Sequence, residues 1–283
     1  MKLGIHAMAW TSHWSDESLP LIDRVAALGL DFIEIPLMDV DDVHPAPIRA
    51  RLDAAGIDVV TSTVLSEATD ITSSAHEVRE AGVDYLRRCV DVTAELGASQ
   101  FSGVIYGMHG KRPRARPGEQ DWAWSADCLA RTAERAAAAG IAVGLEPVNR
   151  YESPLVNTCE QAVRLADMIG APNVKIHLDT YHMNIEEKSW SDPVALAGDR
   201  LCHFHLCEND RGIPGTGLVD WDALFGALGK IEYEGYAGLE SFVDLSEDMV
   251  AGTCVWRDLA PNGDILVREG TAFLRELARR NGL

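Results

Sequence analysis

The sequence has no long apolar run. Its longest, residues 136–145, is far below the ~18 residues that a membrane span needs, so no membrane partner or insertion is expected. Residues 1–10 carry one Lys and a short apolar stretch broken by His6, and so lack the continuous core of an export signal. Cysteine is sparse: six in the chain, with no CxxC pair, which excludes a disulfide framework and a zinc ribbon and fits a reducing cytoplasm. Positive charge is scarce as well, with 25 Lys plus Arg against 44 Asp plus Glu and a net charge of −19. Nucleic acids and anionic membranes are gripped by Lys and Arg, so this balance argues against both and favours a small neutral ligand. No Pro/Ser-rich linker interrupts the 283 residues, which are therefore read as one domain, 1–283.

What is present is alternation. Short β-rich runs at 3–9, 32–37, 58–63, 100–106, 142–146, 174–179, 201–206 and 237–240 are separated by segments of helical periodicity, among them 19–28, 48–55, 78–96, 126–139 and 160–169. Several units share one punctuation, in which a helix ends in glycine (Gly29, Gly56, Gly97, Gly140) just before a strand. Eight β-then-α units predict parallel strands with crossover helices, closed into a single (β/α)8 TIM barrel. Two longer inserts, 107–121 with Lys111, Arg112, Arg114 and Arg116, and 242–263, are expected on the face where the strands end. The basic run is read as a solvated loop.

Polar residues that end apolar strands of such a barrel point into its mouth. Four consecutive strand ends supply Glu146, Asp179, His205 and Glu240. Three carboxylates crowded together repel one another, so a bound cation is the natural compensation. Three oxygen donors and one nitrogen, without thiolate, suit a divalent ion with open positions, Mn²⁺ first and Co²⁺ or Mg²⁺ next. His177 and His203, two residues before Asp179 and His205, are read as supports one layer deeper. The glycine-rich segment 212–217 lacks the following Lys-Ser/Thr of a phosphate cradle and is read as a turn.

Glu146-Pro147-Val148-Asn149-Arg150-Tyr151-Glu152, Leu178-Asp179-Thr180-Tyr181-His182-Met183-Asn184, His203-Phe204-His205 with Glu208 and Arg211, and Tyr236-Ala237-Gly238-Leu239-Glu240 together resemble the signatures of the ketose 3-epimerases. These belong to the xylose-isomerase-like barrel superfamily and act on sugars such as L-ribulose, D-fructose/D-allulose and D-tagatose. The resemblance implies metal ligands at Glu146, Asp179, His205 and Glu240, with Glu146 and Glu240 as two acid/bases that epimerise C3 through a cis-enediolate. It also implies sugar contacts at Glu152, His182 and Arg211, an aromatic wall at Trp14 and Phe242, and a homo-oligomer, dimer or tetramer. This chain departs from its relatives at His6, where they carry an aromatic, and near Met108, where they carry Trp; both positions fall toward the far end of the sugar. The four strand-end donors do not by themselves distinguish a ketose epimerase from a hydroxypyruvate or inosose isomerase, or from a non-catalytic sugar-binding barrel.

Overall fold

A computed structural model describes residues 1–243 and 246–283. Eight parallel strands close in sequence order: β1 (Lys2–His6), β2 (Phe32–Pro36), β3 (Asp58–Leu65), β4 (Gln100–Met108), β5 (Ala142–Leu145), β6 (Val174–Asp179), β7 (Leu201–His205) and β8 (Tyr236–Leu239), with β8 pairing back onto β1. The helices packed around it are α1 (Pro20–Ala27), α2 (Pro45–Ala55), α3 (His76–Leu96), α4 (Glu119–Ala138), α5 (Cys159–Ile169), α7 (Asp192–Ala197), α8 (Trp221–Lys230) and α10 (Gly263–Asn281). Two short helices, α6 (Thr180–Glu186) and α9 (Glu247–Thr253), follow β6 and β8 on the mouth side. Among the described residues, no helix is long and apolar enough to cross a membrane.

The strands form because they are rich in β-branched and aromatic residues that are buried on both faces, as parallel barrel strands require. Ile33 and Ile35 of β2, Phe101 of β4, Ile176 of β6 and Phe204 of β7 are all fully inaccessible or nearly so. The helices cover this barrel with one apolar face each; in α3 the buried set Val83, Leu86 and Val90 recurs at helical spacing. The four anticipated helix-ending glycines are all left-handed, with φ between 68° and 79°. At Gly97 the turn is also crowded by the Arg49 guanidinium, which packs where a side chain would project.

Several boundaries differ from the sequence expectation. The first strand ends at His6, because His6 caps a short 3-10 turn at Ala7–Ala9 by accepting the Met8 N–H on Nδ1 at 3.2 Å. Helix α4 starts earlier, at Glu119, where the Asp121 side chain accepts the Gly118 N–H at 2.8 Å. The basic insert is correspondingly shorter. Arg112, Arg114 and Arg116 are exposed in it, whereas Lys111 is drawn in to Asp70 Oδ2 and Thr72 Oγ1, both at 2.7 Å. Glu146 and Glu240 lie one residue past the ends of β5 and β8 rather than inside them.

Candidate metal and sugar site

Register places the four donors. Asp179 pairs with His205 across β6 and β7, and His205 pairs with Gly238 of β8, two residues before Glu240. Ligand atoms of Glu146, Asp179, His205 and Glu240 all come within 4.8 Å of one another. The imidazole is central: His205 Nδ1 lies 3.3 Å from Glu240 Oε2, 3.4 Å from Glu146 Oε1 and 3.6 Å from Asp179 Oδ2.

Each donor is held by local structure. Asp179 is the N-cap of α6: its side chain accepts the N–H groups of Tyr181 at 2.6 Å and His182 at 3.3 Å through Oδ1, which leaves Oδ2 facing the other donors. That cap also swings His182 toward the site, where its Nδ1 accepts the Asn149 backbone N–H at 3.1 Å. Asn149 Nδ2 in turn donates to Glu152 at 2.7 Å, and Glu152 Oε2 meets His109 Nε2 at 3.1 Å. Arg211 crosses the site: Nη1 donates to Asp179 Oδ2 at 2.8 Å and to Glu240, and the guanidinium stacks over Tyr181 and Phe242.

The electrostatics differ among the carboxylates. Burial raises Glu146 above the usual carboxylate range, and the neighbouring His205 offsets only part of this. Burial acts on Glu240 too, but Arg211 and His205 outweigh it and hold that carboxyl low. Asp179 lies further down for the same reason, with Arg211 the main counterweight to burial. In Glu152 burial is overcome by His182 and His109, which hold it at about 2.

A cavity of about 210 Å³ opens onto these groups. His6, Glu146, Glu152, His182, His205, Arg211, Glu240 and Phe242 are among the residues that line it. Trp14 is not among the lining residues: it is buried within the hydrophobic core and gives the cavity no wall. Met108, at the end of β4, is likewise outside the lining, whereas the adjacent His109 is part of it.

The donor set fits a divalent cation. His205 Nδ1 is buried without a hydrogen-bond partner, and three carboxylates converge on it. His177 and His203 lie beneath, as the strand spacing suggests. His177 Nδ1 is 3.7 Å from Glu146, and the His177 and His203 rings are 4.3 Å apart. The segment 212–217 is a turn, and the structure supplies the reason: the Glu208 carboxylate fills it, accepting the N–H groups of Gly215 at 2.8 Å and Val219 at 3.0 Å and the Trp221 indole N–H at 3.1 Å. A phosphate would find those donors taken.

Sequence reasoning missed Glu34. This residue of β2 is fully buried and accepts from His203 Nε2 at 2.7 Å and His205 Nε2 at 2.9 Å. The available signal was a lone acid inside the apolar run Phe32-Ile33-Glu34-Ile35-Pro36, since isolated acids are rarely buried without partners. His109 was also missed; it falls in an insert whose composition reads as solvated loop.

Comparison with known proteins agrees with this fold. A family model described as a xylose isomerase-like TIM barrel matches residues 22–277. The ketose 3-epimerase of Arthrobacter globiformis is 39% identical over 98% of this chain and 96% of its own length. The L-ribulose 3-epimerase of Methylomonas sp. (strain DH-1) is 37% identical over 98% and 97%. A solved structure of a D-allulose 3-epimerase from Methylomonas sp., in complex with D-allulose, superposes with a TM-score of 0.94 at 37% identity, covering 98% of this chain and 96% of the other. The chain thus belongs to the xylose isomerase-like TIM barrel family. Within that family it belongs to the ketose 3-epimerases, a class of sugar isomerases.

Proposed function

We propose that this enzyme epimerises free ketoses of the L-ribulose, D-fructose/D-allulose and D-tagatose type at C3, with Glu146 and Glu240 exchanging the proton. The observation that carries the reading is that these two carboxyl groups, from strands three places apart in the barrel order, both approach His205 Nδ1, at 3.4 and 3.3 Å, and both line one cavity.

C3 epimerisation removes the hydrogen next to the C2 carbonyl and returns one to the opposite face through an enediolate. One glutamate takes the C3 proton, the other delivers a proton from the far side, and the roles exchange when the reaction runs backward. Glu152 and His182, locked by Asn149, present fixed polar groups to the sugar hydroxyls, and Arg211 supplies N–H donors beside them. A divalent ion held by Glu146, Asp179, His205 and Glu240, Mn²⁺ first by donor type, would supply electrostatic stabilisation to the oxygen charge that develops. Free rather than phosphorylated sugars are favoured because the glycine-rich turn 212–217 is filled by Glu208. All six cysteines are unpaired, which supports a reducing compartment such as the cytoplasm.

The test is incubation of L-ribulose, D-fructose, D-tagatose and hydroxypyruvate with enzyme and Mn²⁺ in D₂O. Deuterium entering C3 with formation of the C3 epimer is the expected result. Label at another carbon, or turnover of hydroxypyruvate alone, refutes the proposal.

A further inference from the structure

Glu34 occupies an expensive position. It is fully buried in β2, and its contacts are imidazoles rather than Lys or Arg. Oε2 lies within hydrogen-bond distance of Nε2 of both His203, at 2.7 Å, and His205, at 2.9 Å, while Oε1 lies 3.7 Å from His6 Nε2 and has no hydrogen-bond partner. Taking a carboxylate this deep out of water is often no better for stability than a well-packed apolar side chain, so stability alone is a poor reason for it.

Geometry supplies a better one. His205 stands between two acidic groups: Glu34 below, on Nε2, and the converging Glu146, Asp179 and Glu240 above, facing Nδ1. With the Nε2 proton committed to Glu34, the Nδ1 lone pair is free for the cation. The other neutral tautomer would set an Nε2 lone pair against the carboxylate at 2.9 Å and point an N–H where the cation belongs. His203 reinforces the arrangement by donating to the same oxygen, which fixes the rotation of the Glu34 carboxylate.

We propose that Glu34 is a positioning residue, which holds His205 as its Nε2–H tautomer and so makes Nδ1 the nitrogen donor to the divalent ion. The inference rests on the cation reading given under Proposed function. A carboxylate behind a metal-bound imidazole orients the ring and strengthens the ligand, and loss of such a partner weakens metal binding by roughly 10–100-fold.

The experiment compares the wild-type protein with Glu34→Gln. Each is stripped of metal and titrated with Mn²⁺ by calorimetry, and thermal unfolding of the stripped proteins is recorded alongside. Binding weakened by roughly 10–100-fold in a variant that remains folded is the expected result. In parallel, ¹⁵N NMR of histidine-labelled wild-type protein, loaded with diamagnetic Mg²⁺ or Zn²⁺, is expected to show His205 protonated at Nε2 and not at Nδ1. Wild-type Mn²⁺ affinity in a folded Glu34→Gln protein overturns this inference alone, as does an Nδ1–H signal for His205 in the loaded wild type. Failure of the wild-type protein to bind any divalent ion overturns both this inference and the cation reading. If Glu34→Gln does not fold, the wild-type tautomer decides the matter. A purely structural role for Glu34 would lower the unfolding temperature and leave the Mn²⁺ affinity unchanged.

Discussion

Arg211 Nη1 donates to Asp179 Oδ2 at 2.8 Å, the same oxygen that lies 3.6 Å from His205 Nδ1. The guanidinium therefore shares the carboxylates that the sequence assigns to a cation, and it does so from a strained backbone, with φ of 67° at a non-glycine residue. The strain is sustained by neighbours: the Arg211 N–H donates to Glu208 O at 2.9 Å, and Ser241 Oγ donates to Arg211 O at 2.5 Å.

Removal of this side chain should expose the repulsion that it masks. Arg211→Ala is expected to lose about 3–5 kcal/mol in the metal-free protein, the usual penalty for leaving a buried charge without its partner. The loss should be smaller with Mn²⁺ present, because the ion compensates the same carboxylates. Thermal unfolding in EDTA and in Mn²⁺ measures the difference, and equal losses in the two conditions would contradict the shared-carboxylate account.

The two glutamates should be individually indispensable. Glu146→Gln and Glu240→Gln are each expected to lower kcat for C3 epimerisation by about 10²–10⁴-fold, the range associated with removal of a general acid or base. Steady-state assay on L-ribulose with saturating Mn²⁺ reads this directly. Near-normal turnover in either variant would eliminate the two-base scheme.

Acid stability has a specific contributor in Asp70. Burial alone would raise its carboxyl, but bonds from Lys111 and Thr72 prevail and hold it below the usual range. A lowered folded value means that the stabilisation is complete above the unfolded value of about 3.9 and is lost as pH falls through the folded one. Asp70→Asn is therefore expected to cost about 1–3 kcal/mol at pH 7, with the gap from wild type closing below about pH 4. Urea unfolding across pH would record it, and a gap that stays constant would count against the assignment.

Gly103 marks a close approach of β4 to β3. Its φ is 122°, and an added Cβ would run into the Thr63 carbonyl oxygen. Gly103→Ala should destabilise the protein by at least about 1–3 kcal/mol, from steric overlap added to a backbone conformation that alanine disfavours. A denaturation midpoint equal to that of wild type would show that the strands can part without cost.

The fold was legible to within a few residues because its signals are local. A β-rich run, a helix of the right period and a glycine that ends it recur at each unit, and Gly29, Gly56, Gly97 and Gly140 all adopt the left-handed turn expected of them. The anticipated donors Glu146, Asp179, His205 and Glu240 come together because a polar residue at the end of a barrel strand has one direction in which to point. Trp14 was less predictable. A large aromatic near a strand end reads equally well as cavity wall or core, and here it is core. His182 depended on a cap: Asp179 had to turn the chain into α6 before the imidazole could face Glu152.

Local pattern along the chain was enough to specify eight β/α units, the acidic surface and the identity of the donors at the barrel mouth. Barrel closure decided the rest, since it alone brings together groups that are remote in the chain, as with Glu34 and His205, which are 171 residues apart. Which nitrogen of His205 faces the carboxylates, which acids Arg211 reaches and which carboxylate fills the glycine-rich turn all follow from through-space distances of a few ångströms. Strand register and packing set those distances, and a sequence period records neither.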